Sequence, residues 1–241
     1  SHVQNSFYEP MHTTSVDALG TLNMLEAMAE FVPKARFYNA ASSEIFGNTP
    51  DYPITEDSRM MPCSPYAAAK LYAYHITKIY RVSKKLFAVN GILFNHESPR
   101  RGLNFVTAKV VKGALDIKYG DKNELQLGNL DSSRDWGHAK DYVYAMWLML
   151  QNDKPNDYLV ATGKETTIRR LCEYVFNNLK LGDYKKYVKT VDKYRRPYEL
   201  AHLKGNPAKI KKELGWEPRY SFEDLIDEMI VEIKKKFYPD K

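Results

Sequence analysis

The sequence predicts an α/β protein, a parallel sheet covered by helices with a smaller α/β domain beside it, and three observations carry this. Short apolar runs alternate with stretches of helical period, the order that sets strands side by side and lays helices over their faces. The 241 residues are 44% hydrophobic and 27% charged, enough to bury a sizeable core and too apolar for a disordered or fibrous chain. No Gly/Ser linker and no repeat of about 20–50 residues divides the chain.

Each element follows from its local pattern. Leu19, Leu22, Leu25 and Met28 recur at helical spacing and predict a helix over 15–31, stopped by Pro33. Residues 35–41 then read as a short strand. A long helix is expected over 64–84, with Ser64 as cap and Pro65 in the first position, where its missing N–H costs nothing. Residues 87–94, FAVNGILF, form a nearly unbroken apolar run of the kind found in strands buried on both faces. Further helices are expected over 105–117, 140–150, 168–181 and 222–235, with a strand at 158–161. The Lys-, Arg- and Tyr-rich stretch 181–207 reads as loops.

Composition excludes several function classes. The net charge is +6, from 36 Lys and Arg against 30 Asp and Glu, with most of the excess in residues 151–241. Scattered lysines on solvated helix faces account for this better than a nucleic-acid surface, since basic and aromatic residues do not interleave as in known modules. Cys63 and Cys172 lack metal-ligand spacing, and His2, His12, His75 and His202 add none, so no metal site is expected. No run approaches the roughly 18 apolar residues of a membrane span, and no secretory leader is visible, so a soluble, cytoplasmic protein is expected.

Chemistry is suggested at two places. Tyr66 and Lys70 stand four apart in SPYAAAK, on one face of the first helical turns, where an ammonium and the positive helix terminus would lower the phenol pKa and make a base. A chance surface pair is the alternative in a chain with 18 tyrosines. NAASSE at 39–44 follows a strand directly and puts Ser42, Ser43 and Glu44 at its carboxyl end, where sites of open α/β sheets form. Alternatively the serines merely cap the next turn and Glu44 is solvated.

Strand, Ser-Ser-Glu, then YxxxK about 20 residues later resembles the extended short-chain dehydrogenase/reductases. NGILFNHESPRRG at 90–102 and LGNLDSSRDWGHAKDYV at 127–143 narrow the resemblance to the GDP-mannose 4,6-dehydratase family, and YRRPYE at 194–199 and LGWEP at 214–218 extend it over essentially the whole chain. The resemblance implies a Rossmann-like parallel sheet with covering helices. Residues 1–94 would be the C-terminal part of an NADP-binding domain. Residues 95–241 would mainly bind the GDP-sugar, with a return to the sheet near 139–163. A glycine-rich phosphate loop is not seen, and roughly 60–90 further residues are expected upstream at about 30 per βαβ unit.

Roles follow by position. The resemblance implies that Tyr66, Lys70, Ser42 and Glu44 are catalytic, that Tyr66, Lys70, His96 and Arg101 contact the cofactor NADP, and that Ser43, Asn95, Arg134, Arg196 and Glu199 hold GDP-mannose. Ser42 stands where the family more usually has threonine, and the hydroxyl is kept. Trp136 and His138 are expected as core or supporting residues and Arg195 as solvent-facing. The implied reaction moves a hydride from C4 of the hexose to NADP and back to C6, with loss of water. Tyr66 takes the O4 proton and Glu44 the C5 proton. A homodimer or homotetramer is implied, with no nucleic-acid or membrane partner. Glucose-nucleotide dehydratases are the near rivals, although they carry Asp-Glu where this chain has Ser43-Glu44. Simple 4-epimerases need no C5 base. A non-catalytic nucleotide-sugar-binding fragment is the remaining alternative.

Overall fold

A computed structural model describes residues 3–194, 200 and 202–241. The described chain opens with two short helices, α1 (Val3–Tyr8) and α2 (Pro10–Thr14), which run into a π-helical turn (Ser15–Leu19) and α3 (Gly20–Phe31). Neither α1 nor α2 was expected, because both are polar and short of apolar periodicity. The π turn also changes the reading of 15–31 as one regular helix. Leu25 and Met28 are core residues, whereas Leu19 is 49% exposed. One additional residue in a turn rotates everything upstream by about 100° around the axis, which takes Leu19 off the buried face.

Three parallel strands carry the molecule's main sheet. β1 (Arg36–Ser42) leads through α4 (Pro65–Ser83) to β2 (Phe87–Leu93). β3 (Asn95–Glu97), α5 (Val106–Tyr119), β4 (Leu125–Leu127), β5 (Ser133–Arg134), β6 (Trp136–His138) and α6 (Ala139–Gln151) intervene before β7 (Asp157–Val160) returns to the sheet. The order is β1-β2-β7. Helices cover both faces: Ala88 packs with Leu25 and Met28 of α3, Ile92 with Tyr74 of α4, and Val89 and Leu93 with Tyr142, Ala145 and Met149 of α6. Burial on both faces is why β2 is apolar without alternation.

One polar row fixes the register. Asn39, Asn90 and Asp157 are paired across the three strands. Asn39 Nδ2 donates to Asn90 Oδ1 at 2.7 Å, and Asn90 Nδ2 donates to Asp157 Oδ1 at 2.8 Å. Arg81 and Tyr74 of α4 also donate to the Asp157 carboxylate. A one-residue slip would leave these buried groups unpaired, each at a cost of about 1–3 kcal/mol.

The second layer is built from α5, α7 (Ile168–Asn178) and α9 (Phe222–Phe237), which share the largest core, with α8 (Ala208–Leu214) against β7. Its strands are very short: β3 pairs β6, β4 pairs β9 (Val188–Thr190), and β5 pairs β8 (Thr166–Thr167). β9 lies inside the stretch expected to be loops. His138 is buried and bonded to Glu228 of α9 at 3.0 Å, and Trp136 is buried, as supporting residues would be. Cys63 and Cys172 are free thiols. Among the described residues no helix is long and apolar enough to cross a membrane.

Candidate active site

The carboxyl ends of β1 and β2 open into a cleft of about 1110 Å³ between the main sheet and the second layer. Ser42 is the last residue of β1 and caps the 3-10 turn Ser43–Phe46 by accepting from the Glu44 amide at 3.3 Å. Capping does not exhaust it, because the same hydroxyl is hydrogen-bonded to Tyr66. Ser43 is buried and Glu44 half-buried, both on the cleft wall. Gly47 ends the turn at φ 55°, and a Cβ there would lie 1.8 Å from the Met61 carbonyl oxygen. Only glycine lets the chain leave the site this way.

α4 begins as its sequence dictates, with the Ser64 hydroxyl accepting from the Ala67 amide at 3.1 Å and Pro65 in the first turn. Tyr66 is 8% exposed and Lys70 lies one turn along, its Nζ 5.8 Å from the Tyr66 ring centre. The expectation of a lowered phenol pKa is corrected here. Burial, the largest cause, pushes the Tyr66 phenol up to about 12, and the Asp17 and Glu44 carboxylates push the same way. The Ser42 hydrogen bond and Arg101 pull it down. Lys70 is not among the leading influences on the phenol, and its ammonium is paired with Asp17 Oδ1 at 3.0 Å.

The opposite wall comes from β3 and the loop after it. His96 Nδ1 lies 2.9 Å from the Phe94 carbonyl, its ring stacks on Tyr142 with centroids 4.8 Å apart, and burial lowers its pKa. Asn95 Oδ1 is buried without a hydrogen-bond partner. The Arg101 guanidinium sits 3.5 Å above the centre of the Phe105 ring. Its Nε is 2.9 Å from Glu97 Oε2, an ion pair whose N–H is not aligned for a hydrogen bond. Glu97 is 3% exposed and accepts from Thr107 Oγ1 at 2.8 Å; burial pushes its carboxyl up while Arg101 and Thr107 oppose.

At the far end Arg134 is 9% exposed, and its Nη1 donates to the carbonyls of Ser133 at 2.6 Å and Leu200 at 2.9 Å. The neighbouring Asp135 gathers Thr162 N and Oγ1, Gly163 N and Gly205 N. Burial still pushes its carboxyl up to about 6, against those four donors. Glu165 accepts from Tyr52 Oη at 2.6 Å, from Ser133 Oγ and from the Leu203 amide, and His202 Nδ1 lies 3.3 Å away.

Every site residue expected from the sequence and described in the structure therefore lines this one cleft; Arg196 and Glu199, with Arg195, lie outside the described residues. Several wall residues were not foreseen. Glu97 was passed over inside the NHESPRRG run, and Lys109, stacked 3.4 Å from the Tyr194 ring centre, meets its partner only through tertiary structure; Asp17, which carries no local motif, stands behind the wall as the ion-pair partner of Lys70. Among the described residues no group of three or more His, Cys, Asp or Glu side chains could hold a metal ion.

Comparison with known proteins identifies the family. The chain is 44% identical to GDP-mannose 4,6 dehydratase 2 of Caenorhabditis elegans over 96% of its own length and 65% of that protein. It is 46% identical to the human GDP-mannose 4,6 dehydratase, over 95% of this chain and 67% of the relative. It thus spans about two thirds of the length of these relatives. The fold superposes on RMD from Pseudomonas aeruginosa, solved with NADPH, with a TM-score of 0.88 at 23% identity, covering 98% of this chain and 78% of the other. That likeness shows the Rossmann-like fold. The family model for GDP-mannose 4,6 dehydratase matches residues 1–229, and the chain belongs to that family.

Proposed function

We propose that this chain carries the catalytic cleft of an NADP-dependent GDP-mannose 4,6-dehydratase, a hydro-lyase that forms GDP-4-keto-6-deoxymannose. The observation that carries the proposal is the convergence of Ser42, Glu44, Tyr66 and Lys70 from a strand end and a helix start onto one cleft wall, with the Tyr66 hydroxyl on Ser42. In this reading residues 1–94, with a return near 139–163, form part of the cofactor domain. Residues 95–241 otherwise hold the GDP-sugar.

The residues present fit a nicotinamide dinucleotide. Lys70 and Arg101 supply cations on the cleft wall, and the orphaned Asn95 Oδ1, expected at the sugar, is a buried acceptor there for an amide or hydroxyl. NADP, when bound, supplies the hydride acceptor and donor that let one sugar be oxidised at C4 and reduced at C6 in a single turnover. Tyr66, relayed by Ser42, takes the O4 proton as C4 becomes a ketone, a role that requires its phenolate form, which burial in the free protein disfavours and which cationic groups brought up to the phenol would have to favour. The ketone acidifies C5–H, and Glu44 removes that proton and delivers it to the departing 6-hydroxyl, so that water leaves. Tyr66 returns its proton to C5 as C6 is reduced, and every group regains its starting protonation state. Arg134, Arg196 and Glu199 bind the nucleotide, with Ser43 placing the hexose.

The same reading includes a homodimer or homotetramer. It is supported by apolar side chains left on the outer faces of α3 and α4, including Met24, Phe31, Ile79 and Val82. The free thiols of Cys63 and Cys172 fit a reducing compartment such as the cytoplasm. The test is mass spectrometry of GDP-mannose after incubation with NADP and the protein from its complete reading frame. Loss of one water is expected. No loss from a protein that demonstrably binds NADP would overturn the substrate, and glucose nucleotides would follow.

A further inference from the structure

The described chain opens on a helix to which the proposed chemistry gives no task. α1 is short and polar, and it packs on α4. Ser6 is buried, its hydroxyl donating to the Val3 carbonyl at 2.7 Å. On the opposite side of the helix Gln4 and Tyr8, one turn apart, line the cleft. Their position along it follows from the packing. Of α4 only Tyr66 and Lys70 line the cleft, so a helix that both packs on α4 and lines the cleft stands beside that pair, at the reacting end. Gln4 is half-buried and neutral, and its Nε2 donates to Tyr8 Oη at 3.4 Å. Among the described residues this is its one side-chain hydrogen bond. A planar amide has two N–H donors and a carbonyl with two lone pairs, so a donor and an acceptor remain side by side on the wall.

We propose that Gln4 is a specificity-determining residue: its amide holds the two hydroxyls of the hexose that do not react, and Tyr8 steadies that amide. The inference rests on the reading of this cleft as a GDP-mannose 4,6-dehydratase site. That chemistry commits O4 to Ser42 and Tyr66, and C5 and O6 to Glu44, so O2 and O3 are left for the rest of the wall. These two hydroxyls are vicinal, and each can donate and accept. A donor and an acceptor in one plane match such a pair. Mannose and glucose differ only in the direction of O2, so a fixed amide tells them apart, because the wrong epimer leaves one of its groups unpaired. Tyr8 supplies the fixing, since the outermost torsion of a glutamine is broad unless a partner holds it. Gln4 is thus a binding contribution from α1, beside the reacting groups of β1 and α4 and distinct from them.

The test is calorimetric titration of the full-length protein, loaded with NADPH so that no hydride can be taken from the sugar, with GDP-mannose, its C2 epimer GDP-glucose, and GDP. Gln4→Ala should weaken GDP-mannose about tenfold, leave GDP unchanged, and bring the two epimers to within about twofold of each other. A merely structural Gln4 weakens all three ligands by one factor; that result, or an unchanged affinity for GDP-mannose, overturns the proposal. Tyr8→Phe should weaken GDP-mannose about threefold alone and not at all in the Gln4→Ala background, and equal losses in both overturn the role of Tyr8. Should Gln4→Ala not fold, Gln4→Met keeps the length, removes both polar groups and is read identically. The two readings fail separately. A wild-type protein that dehydrates GDP-mannose, with an affinity that Gln4→Ala leaves unchanged, fails the inference alone. A wild-type protein that binds NADPH and not GDP-mannose fails the functional reading, and the same variants are then titrated with dTDP-glucose and dTDP. A loss confined to the sugar nucleotide keeps Gln4 at the hexose, an equal loss or none overturns it, and no binding of either sugar nucleotide overturns both readings.

Discussion

The two ends of the cleft are built on different principles. At the β1 end, Ser42, Ser43 and Glu44 are consecutive, Tyr66 and Lys70 share one helix turn, and a single cap, Ser64, sets where that helix begins. At the Arg134 end, residues from the loop after β1, from β5, from the start of β8 and from the stretch after Leu200 meet only in space, stitched by the carboxylates of Asp135 and Glu165. On the function proposed, local geometry suffices to present a few reacting groups against one hexose. A long ligand needs a wall, and a wall is drawn from whichever segments the topology brings alongside. Damage at the first end should therefore strike chemistry and leave binding, while damage at the second should strike binding first.

The sharpest way to break this contrast is Tyr66→Phe. Removal of one hydroxyl should lower kcat by about 10²–10⁴ with KM little changed, measured by steady-state turnover of GDP-mannose. A matching rise in KM would mean that the catalytic end also holds substrate. Glu44→Gln should stop water loss with a similar factor but leave the first oxidation intact. Reduced cofactor should then accumulate in a single turnover, and normal product release would remove Glu44 from the elimination.

At the other end, Arg134→Lys keeps the charge and loses the planar fork. KM for GDP-mannose should rise about ten- to a hundredfold with kcat within a few-fold, since bidentate contacts are worth about 1.5–3 kcal/mol. Asp135→Asn tests the stitching itself, through a pH dependence of known sign. The folded carboxyl titrates near 6, above its unfolded 3.8, so the folded state binds the proton more tightly. Its stabilising contribution is full below about pH 4 and is lost as pH rises through about 6. The stability gap between wild type and variant should thus be larger at pH 4 than at pH 7, by about 2–3 kcal/mol, from urea midpoints at both values. An equal gap would mean that Asp135 is ionised throughout.

The smallest expected effect is at Glu165. Replacement by Gln leaves Tyr52, Ser133 and Leu203 with a neutral acceptor, and KM should rise only a few-fold, because the backbone bond from Asp135 N to the Leu203 carbonyl at 2.9 Å still ties the same segments.

Legibility in the sequence follows the same division. The long helix from Pro65 and the buried run of β2 were readable because cap, proline and apolar run are each local. The Ser-Ser-Glu and Tyr-Lys motifs were readable for the same reason. β5 and β8 are two residues long and owe their existence to each other across more than thirty positions, so no window of sequence holds the signal. Leu19 misled because regular periodicity was assumed where a π turn adds a residue. The protonation of Tyr66 misled more instructively. Tyr and Lys four apart do say that a cation lies near a phenol, but not that Asp17, almost fifty residues earlier, already engages that cation.

What the sequence by itself determined, then, is the α/β class, the start of the long helix at Pro65, the buried strand β2 and the Ser-Ser-Glu and Tyr-Lys motifs, since propensity, capping and burial act over a few residues. Only the tertiary structure decided the strand register through the Asn39–Asn90–Asp157 row, the wall around Arg134, and the pairing of Lys70 with Asp17. Electrostatics and desolvation depend on distances through space, and chain position does not encode those distances.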